Sequence, residues 1–342
     1  MADLEGRLDR LRELTREQRA AAVVLPEHVY YLTGIEPLRD HPALVLVTEE
    51  EVRAWWPDEV PAETPAWIQS RVYARWPVTE AHHRHSFAAA WSNVPTGAAL
   101  DAQPVFRPLF RELVRPKEPE EVAVIETNVR DNDGAFRAVS TRLREGSSDL
   151  DVLSWAYEAL ARAAGEAVAW QGDIGLGARG GYFGAQAGGA VAARGDLLFV
   201  DLYSRRRHYA GDSTRTFVVG EPEPWMERAH SRLERALGAV EELIRPGAAA
   251  GDLDAACRGI LNEGASAPFP HHSGHGLGLF AQEPPYLVPE NRDLLREGEV
   301  VAVEPGLYFE GVGGMRLEDV FEVTSGGCRR LNTYPRNLVV CK

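Results

Sequence analysis

Four carboxylates and one imidazole occupy positions where they could do metal chemistry: Asp201, Asp212, His275, Glu304 and Glu318. Asp201 and Asp212 bracket Leu202 through Gly211, which reads as a hairpin with Gly211 near its return. Two carboxylates on adjoining strands can project to one face and share cations. Glu304 and Glu318 repeat the arrangement around Pro305-Gly306 and Gly311-Val312-Gly313-Gly314. His275 lies in Ser273-Gly274-His275-Gly276-Leu277-Gly278, where glycines let the backbone approach a ligand closely. Such a set suits two divalent ions, and its oxygen-rich donors favour Mn2+, Co2+ or Zn2+ over thiophilic metals. Converging without a cation, four acids would repel one another severely. The competing reading for any single acid is an unrelated surface residue, because the chain carries 51 Asp and Glu.

The elements that must position these residues form two regions. Residues 4 to 20 read as an amphipathic helix, 21 to 25 as a buried strand, 30 to 34 as a short turn and 42 to 47 as a second strand. With Trp55, Trp56, Trp67, Trp76 and Trp91 for bulk, these outline a small α/β domain over residues 1–115. Arg115-Pro116-Lys117-Glu118-Pro119-Glu120-Glu121 reads as a linker running into a helix start, which opens a second domain over 116–342.

That second region reads as an internal duplication. A helix pattern (Val122, Ile125, Val129, Phe136, Val139, Leu143) ends at Glu145-Gly146, and Asp149-Leu150-Asp151 then offers a cap for the next helix. A second pattern (Trp225, Leu233, Leu237, Val240, Ile244) ends at Arg245-Pro246-Gly247 and is followed by Asp252-Leu253-Asp254. The tripeptides are 103 residues apart, and the same offset carries Asp201 onto Glu304. Each of those acids closes an apolar strand, 197–200 in one half and 300–303 in the other. Two such halves facing each other would bring both strand-end acids to one cleft.

Composition narrows the function. At 342 residues the chain can bury a large core, and 44% hydrophobic with 26% charged residues is ordinary for a globular protein. A net charge of −14 argues against a nucleic-acid binder. The charged start, without a signal core, and the lack of a bilayer-length apolar window predict a cytoplasmic protein with no membrane partner. Cys257, Cys328 and Cys341 lie far apart, so reduced, inert thiols are expected. His82-His83-x-His85 could bind a metal but fits a solvated loop better, and Arg205-Arg206-Arg207 reads as an exposed hairpin tip or a contact for a substrate carboxylate or partner subunit.

Phe199-Val200-Asp201-Leu202, Gly211-Asp212-Ser213-Thr214-Arg215-Thr216-Phe217, Gly274-His275-Gly276-Leu277-Gly278, Val303-Glu304-Pro305-Gly306-Leu307-Tyr308 and Met315-Arg316-Leu317-Glu318-Asp319 resemble the motifs of the M24 metallopeptidases, in the family's order. The segment 26–34 and the Arg-Pro-Lys-Glu-Pro-Glu-Glu linker resemble the aminopeptidase P and Xaa-Pro dipeptidase (prolidase) branch. The resemblance implies an α/β protein with a pita-bread catalytic domain, a creatinase-like N-terminal domain, a short-peptide substrate and a homodimer. It implies that Asp212 and Glu318 bridge two ions, that Asp201 chelates one, and that His275 and Glu304 complete the other. Glu304 would be the general base, His271 a substrate contact in place of a plain loop histidine beside His272, and Arg316 the partner that orients a metal-binding carboxylate.

Two positions depart from the family pattern. Gln282 stands where proline-specific members carry a histidine, seven residues after His275; glutamine can donate a hydrogen bond to an oxyanion but cannot carry a proton. A second usual histidine falls at Gly184, with Tyr182 or Gln186 as candidate substitutes. These departures keep open a metallopeptidase of different specificity, a non-peptidase metalloenzyme as with the related DMSP lyases, and a metal-binding homologue without catalysis. Creatinase-like chemistry is disfavoured, since creatinase lacks the metal set that is complete here.

Overall fold

In the computed structural model, residues 3–37, 42–73, 90–264 and 268–342 are described. Trp76 and the His82, His83 and His85 cluster lie outside them. The chain divides into two compact units, Met1–Val114 and Arg115–Lys342. Among the described residues no helix is long and apolar enough to cross a membrane.

The first unit is a five-stranded sheet in the order Ile68–Tyr73, Val52–Pro57, Leu44–Thr48, Ala20–Val23, Ala99–Leu100, with helices Leu4–Leu14, Pro26–Thr33 and Arg107–Leu113. The first helix stops at Leu14, six residues before the expected end. Thr15 caps it, and Arg19 turns left-handed (φ 58°) to start the strand at Ala20. The segment read as a turn at 30–34 is the end of a helix begun by Pro26 and closed by Gly34 at φ 72°. Trp55 and Trp56 are buried in the sheet.

The second unit contains two similar halves, each a helix pair over a curled sheet. Helices Pro119–Arg142 and Asp149–Ala164 share a core with strands Leu197–Arg206 and Tyr209–Val219. Helices Pro224–Glu241 and Ala250–Leu261 do the same with Val300–Val303 and Asp319–Thr324. The halves repeat their hydrogen bonds. Gly146 N donates to Ala192 O and Asp149 N to Ala190 O; Gly247 N donates to Leu295 O and Ala250 N to Asp293 O. Helix caps therefore correspond at an offset of 101 (Ser148 to Ala249) and the pairing strands at 103 (Val191 to Leu294). The two Asp-Leu-Asp tripeptides are not equivalent positions. In the first half Ser148 is the cap, in a reciprocal box with Asp151. In the second Ala249 is the cap and Asp252 lies inside the first turn. The duplication holds, but the match that suggested it is two residues out of register.

The first long helix ends at Arg142, before the expected Glu145-Gly146. It docks on the hairpin through Asn128 Nδ2 to Tyr209 O (2.7 Å) and Asn132 Nδ2 to Leu202 O (2.8 Å). The hairpin reverses at Arg207-His208, both left-handed (φ 49° and 65°), rather than near Gly211. Gly211 serves that docking instead: a Cβ there would lie 2.6 Å from Asn128 Cβ. Of the three tip arginines only Arg207 is exposed; Arg205 donates to Leu279 O at 2.7 Å.

Candidate metal centre

The strand pairings bring the acids together. Asp201 sits opposite Thr214 and Asp212 opposite Tyr203, so the alternation of the pleat puts Asp201, Asp212 and Thr214 on one face. In the other half His275 sits opposite Ala302, two residues before Glu304, and Val303 opposite Asp319. Extending that register by one residue sets Glu304 beside Glu318. The glycines around His275 seat neighbouring strands rather than a ligand: a Cβ on Gly274 would lie 2.1 Å from Ala302 O, and one on Gly276 2.3 Å from Pro284 O.

Two overlapping groups of donor atoms result among the described residues, Asp212 with His275 and Glu318, and His272 with His275 and Glu304; within each, all lie within 4.8 Å of one another. His275 Nδ1 bonds the Gly276 carbonyl at 3.0 Å, so that nitrogen carries the proton. The lone pair of Nε2 is then turned toward Glu304 Oε1 (3.5 Å) and Asp212 Oδ2 (3.8 Å). Acceptors facing acceptors are repulsive unless a cation lies among them. Glu318 makes the same point: Oε2 accepts from Thr214 Oγ1 at 2.8 Å, while Oε1 is buried with no hydrogen-bond partner. The residues fit divalent metal ions.

Asp201 is held differently. Its Oδ2 accepts from Arg316 Nη2 at 2.7 Å, while its Oδ1 lies 3.1 Å from Thr214 Oγ1, whose one hydrogen is shared between Asp201 and the nearer Glu318. Arg316, itself buried, also reaches Asp173 Oδ2 (3.0 Å) and the Tyr308 hydroxyl (3.3 Å). The site's own field is severe. Burial raises Asp201 to about 6 against the pull of Arg316. Burial first, then neighbouring acids, pushes Asp212 and Glu318 well above the carboxylate range. Glu304 goes the other way: burial opposes ionisation, but the hydrogen bond from His272, at 2.8 Å from Oε1, favours the carboxylate, and the pKa is lowered.

His271 is walled into the protein. Its Nδ1 donates to His272 O at 2.8 Å, so Nε2 is an acceptor and takes the Tyr308 hydroxyl at 2.9 Å. Burial lowers its pKa to about 4. The loop that carries it is tied down by Arg258, which donates to the carbonyls of Phe269 and His271 and pairs with Asp254; Asp254 in turn accepts from Ser273 Oγ. Gln282 is exposed, at the bend before strand Glu283–Leu287, and only its carbonyl has a described hydrogen bond, to Tyr286. Gly184 donates its N–H to Asp173, and Gln186 bonds Asp173 and Gly172 O, while Tyr182 is exposed. None of these supplies a donor atom to the two groups above.

Sequence reasoning gave no role to His272, Asp173, Tyr308 or Thr214. Thr214 and Tyr308 stand inside motifs that drew attention through their acids. Asp173 had no signal at all, being a lone acid that meets Arg316 across 143 residues of chain. The three cysteines are free, and burial pushes Cys257 up to about 12 and Cys341 to about 11.

The fold and the clustered donors form a candidate metal centre, and comparison with known proteins gives the family. The chain belongs to metallopeptidase family M24, whose profile matches residues 125–325. It is 34% identical over 254 residues to "Probable dipeptidase PepE" of Mycobacterium tuberculosis, covering 72% of this chain and 66% of that one. With the Xaa-Pro dipeptidase of Pyrococcus furiosus it shares 32% over 232 residues, covering 68% and 67%. These matches thus span about two thirds of the relatives' own length. In structure the chain superposes on dipeptidase PepE of Mycobacterium ulcerans with a TM-score of 0.81 at 26% identity, over 98% of this chain and 97% of that one. On the Bacillus anthracis Xaa-Pro dipeptidase the TM-score is 0.86 at 20% identity, over 99% and 100%. The second unit has the pita-bread fold.

Proposed function

We propose that this chain hydrolyses short peptides, Xaa-Pro bonds first, with two divalent ions (Mn2+, Co2+ or Zn2+) held by Asp201, Asp212, His275, Glu304 and Glu318. The observation that carries the reading is the buried, partnerless Oε1 of Glu318 in a pocket that also gathers Asp212 and the lone pair of His275. The relatives named as dipeptidases and Xaa-Pro dipeptidases support the substrate class.

When bound, the ions would lower the pKa of water and draw charge from the scissile carbonyl. Glu304 stays ionised beside its histidines, with Oε1 taken by His272 and Oε2 turned toward His271 at 4.0 Å. Oε2 is the atom that accepts a proton from the attacking water and returns it to the leaving amine. Arg316 holds Asp201 in place through Oδ2. His271 meets a substrate only as an acceptor at Nε2, after the Tyr308 hydroxyl turns away. Gln282 is left outside the proton path.

The test is a panel of dipeptides and tripeptides, with proline or alanine at the second position, offered to Mn2+-loaded protein. Turnover of the proline peptides that vanishes in Asp212→Asn supports the reading; tight metal binding with no cleavage overturns it. A second reading, non-peptidase chemistry on the same scaffold, draws on Gly184 and the exposed Gln282, where the resemblance to the proline-specific branch implies imidazoles. A large gain in peptide turnover in Gln282→His would favour the peptidase.

A further inference from the structure

A cavity of about 640 Å³ lies against the centre, within the size range of small-ligand sites. Phe183, Phe269 and Tyr308 line it, and the same three rings surround His271, with centroids 5.5, 4.4 and 5.7 Å away. Tyr308 also touches Arg316, the residue that holds Asp201. The cavity is therefore linked to the centre through Tyr308, although none of the five proposed ligands lines it. The described residues lining it include two charged ones, Arg228 and Arg232, and no carboxylate.

Those arginines stand four residues apart on helix Pro224–Glu241 and so share a face. Neither has a described ion pair, whereas Arg235, the next along that face, approaches Glu263 at 3.9 Å. A shallower groove outside continues past Ser231 and Arg235, with Glu227 as its acid. Arg228 is exposed and Arg232 half-buried, so the cavity carries two positive charges beside its aromatic rings and can meet an anion there. The apolar wall lowers the local dielectric and strengthens such a contact.

We propose that Arg228 and Arg232 form a subsite for a carboxylate of the substrate, either the peptide's C-terminus or an acidic side chain. This rests on the peptidase reading of the centre. It makes these arginines binding residues that select which peptides are held.

The experiment uses the metal-loaded full chain, with Arg228→Gln, Arg232→Gln, the double variant, and the exposed Arg162→Gln as control. Each is offered one peptide sequence as free acid, as C-terminal amide, and as an amide carrying a glutamate. Thermal melts confirm that the variants fold. The double variant is expected to raise KM about tenfold for carboxylate-bearing peptides with kcat nearly unchanged, and to leave the plain amide alone. An effect on the free acid only assigns the C-terminus; an effect on the glutamate amide only assigns the side chain. Equal effects on all three peptides, or none, overturn the subsite. If no peptide is cleaved the peptidase reading falls, and calorimetry still decides the subsite: binding of free acid and plain amide with equal affinity overturns it, whereas tighter binding of the acid that is lost in the double variant supports it.

Discussion

Arg316 holds Asp201 through Nη2 to Oδ2 at 2.7 Å, and the same nitrogen lies 3.0 Å from Asp173 Oδ2. Arg316 belongs to the strand pair Gly306–Phe309 and Gly313–Arg316, so one guanidinium from the second half sets the position of a carboxylate of the first that is proposed to hold metal. Asp173 also ties the 184–186 backbone to this cation through the Gly184 N–H.

Lysine at 316 keeps the charge but loses the fork that serves Asp201, Asp173 and Thr214 together. Arg316→Lys should weaken Mn2+ binding roughly 10- to 100-fold, the usual cost of removing a residue that orients a ligand. Calorimetric titration of the metal-free protein checks this; unchanged affinity would show that Asp201 holds its position alone.

Glu318→Gln separates the cost of the centre from its use. Because burial raises the pKa of Glu318 and Asp212 in the folded chain, their contribution to stability is complete below the unfolded carboxylate value and is lost as pH rises through the folded one. Metal-free protein should therefore melt lower at neutral pH than near pH 5, and Glu318→Gln should raise its neutral-pH Tm. With Mn2+ in excess the ordering reverses, since the wild type gains more from the ion than a variant that has lost one carboxylate. A melt of the variant that rises with Mn2+ as much as the wild type would count against Glu318 as a ligand.

Arg215 is buried and donates to Asp319 Oδ1 and Glu318 O, both at 2.6 Å; Asp319 also pairs with Arg330 and Arg336. Burial opposes the charge of Asp319, but the three guanidiniums keep its pKa low. Arg215→Ala should cost about 3–5 kcal/mol, the typical result of breaking a buried ion pair from one side. Urea unfolding measures it, and a loss under about 1 kcal/mol would show that Arg330 and Arg336 suffice.

His230 supplies a pH effect remote from the centre. Burial, then the charge of Arg215, lowers its pKa from 6.5 to about 4, and its Nε2 has no partner. The folded value lies below the unfolded one, so stability is complete above about pH 6.5 and falls as pH drops toward 4. Loss amounts to about 3 kcal/mol at the acid end by linkage, and His230→Gln should remove that slope from urea midpoints between pH 7 and 4.5.

The five proposed ligands were legible because each sits in a motif, and the duplication because both halves end an apolar strand in an acid. Their supports were less so. His271 has the expected number and spacing, yet which nitrogen carries its proton depends on the His272 carbonyl and the Tyr308 hydroxyl, which no linear pattern encodes. Asp173 is an acid among glycines until the fold sets it beside Arg316. The hairpin return was misplaced because Gly211 invites a turn, whereas its missing side chain makes room for Asn128. Helix ends moved for local reasons of the same kind, at Thr15 and Ser148.

The repeated halves each have their own apolar core, and the proposed ligands divide between them: the group of Asp212, His275 and Glu318 spans the two halves, while His272, His275 and Glu304 all come from the second. A cation held by Asp212, His275 and Glu318 would work as a clasp across the seam, its hold growing with concentration as RT ln(1 + [L]/Kd). Without it, the acids on the two sides push the lobes apart at the one place where they must meet. Chelation should then loosen the seam before either core melts, so that amides flanking the ligands exchange with solvent while those in the two helix pairs stay protected.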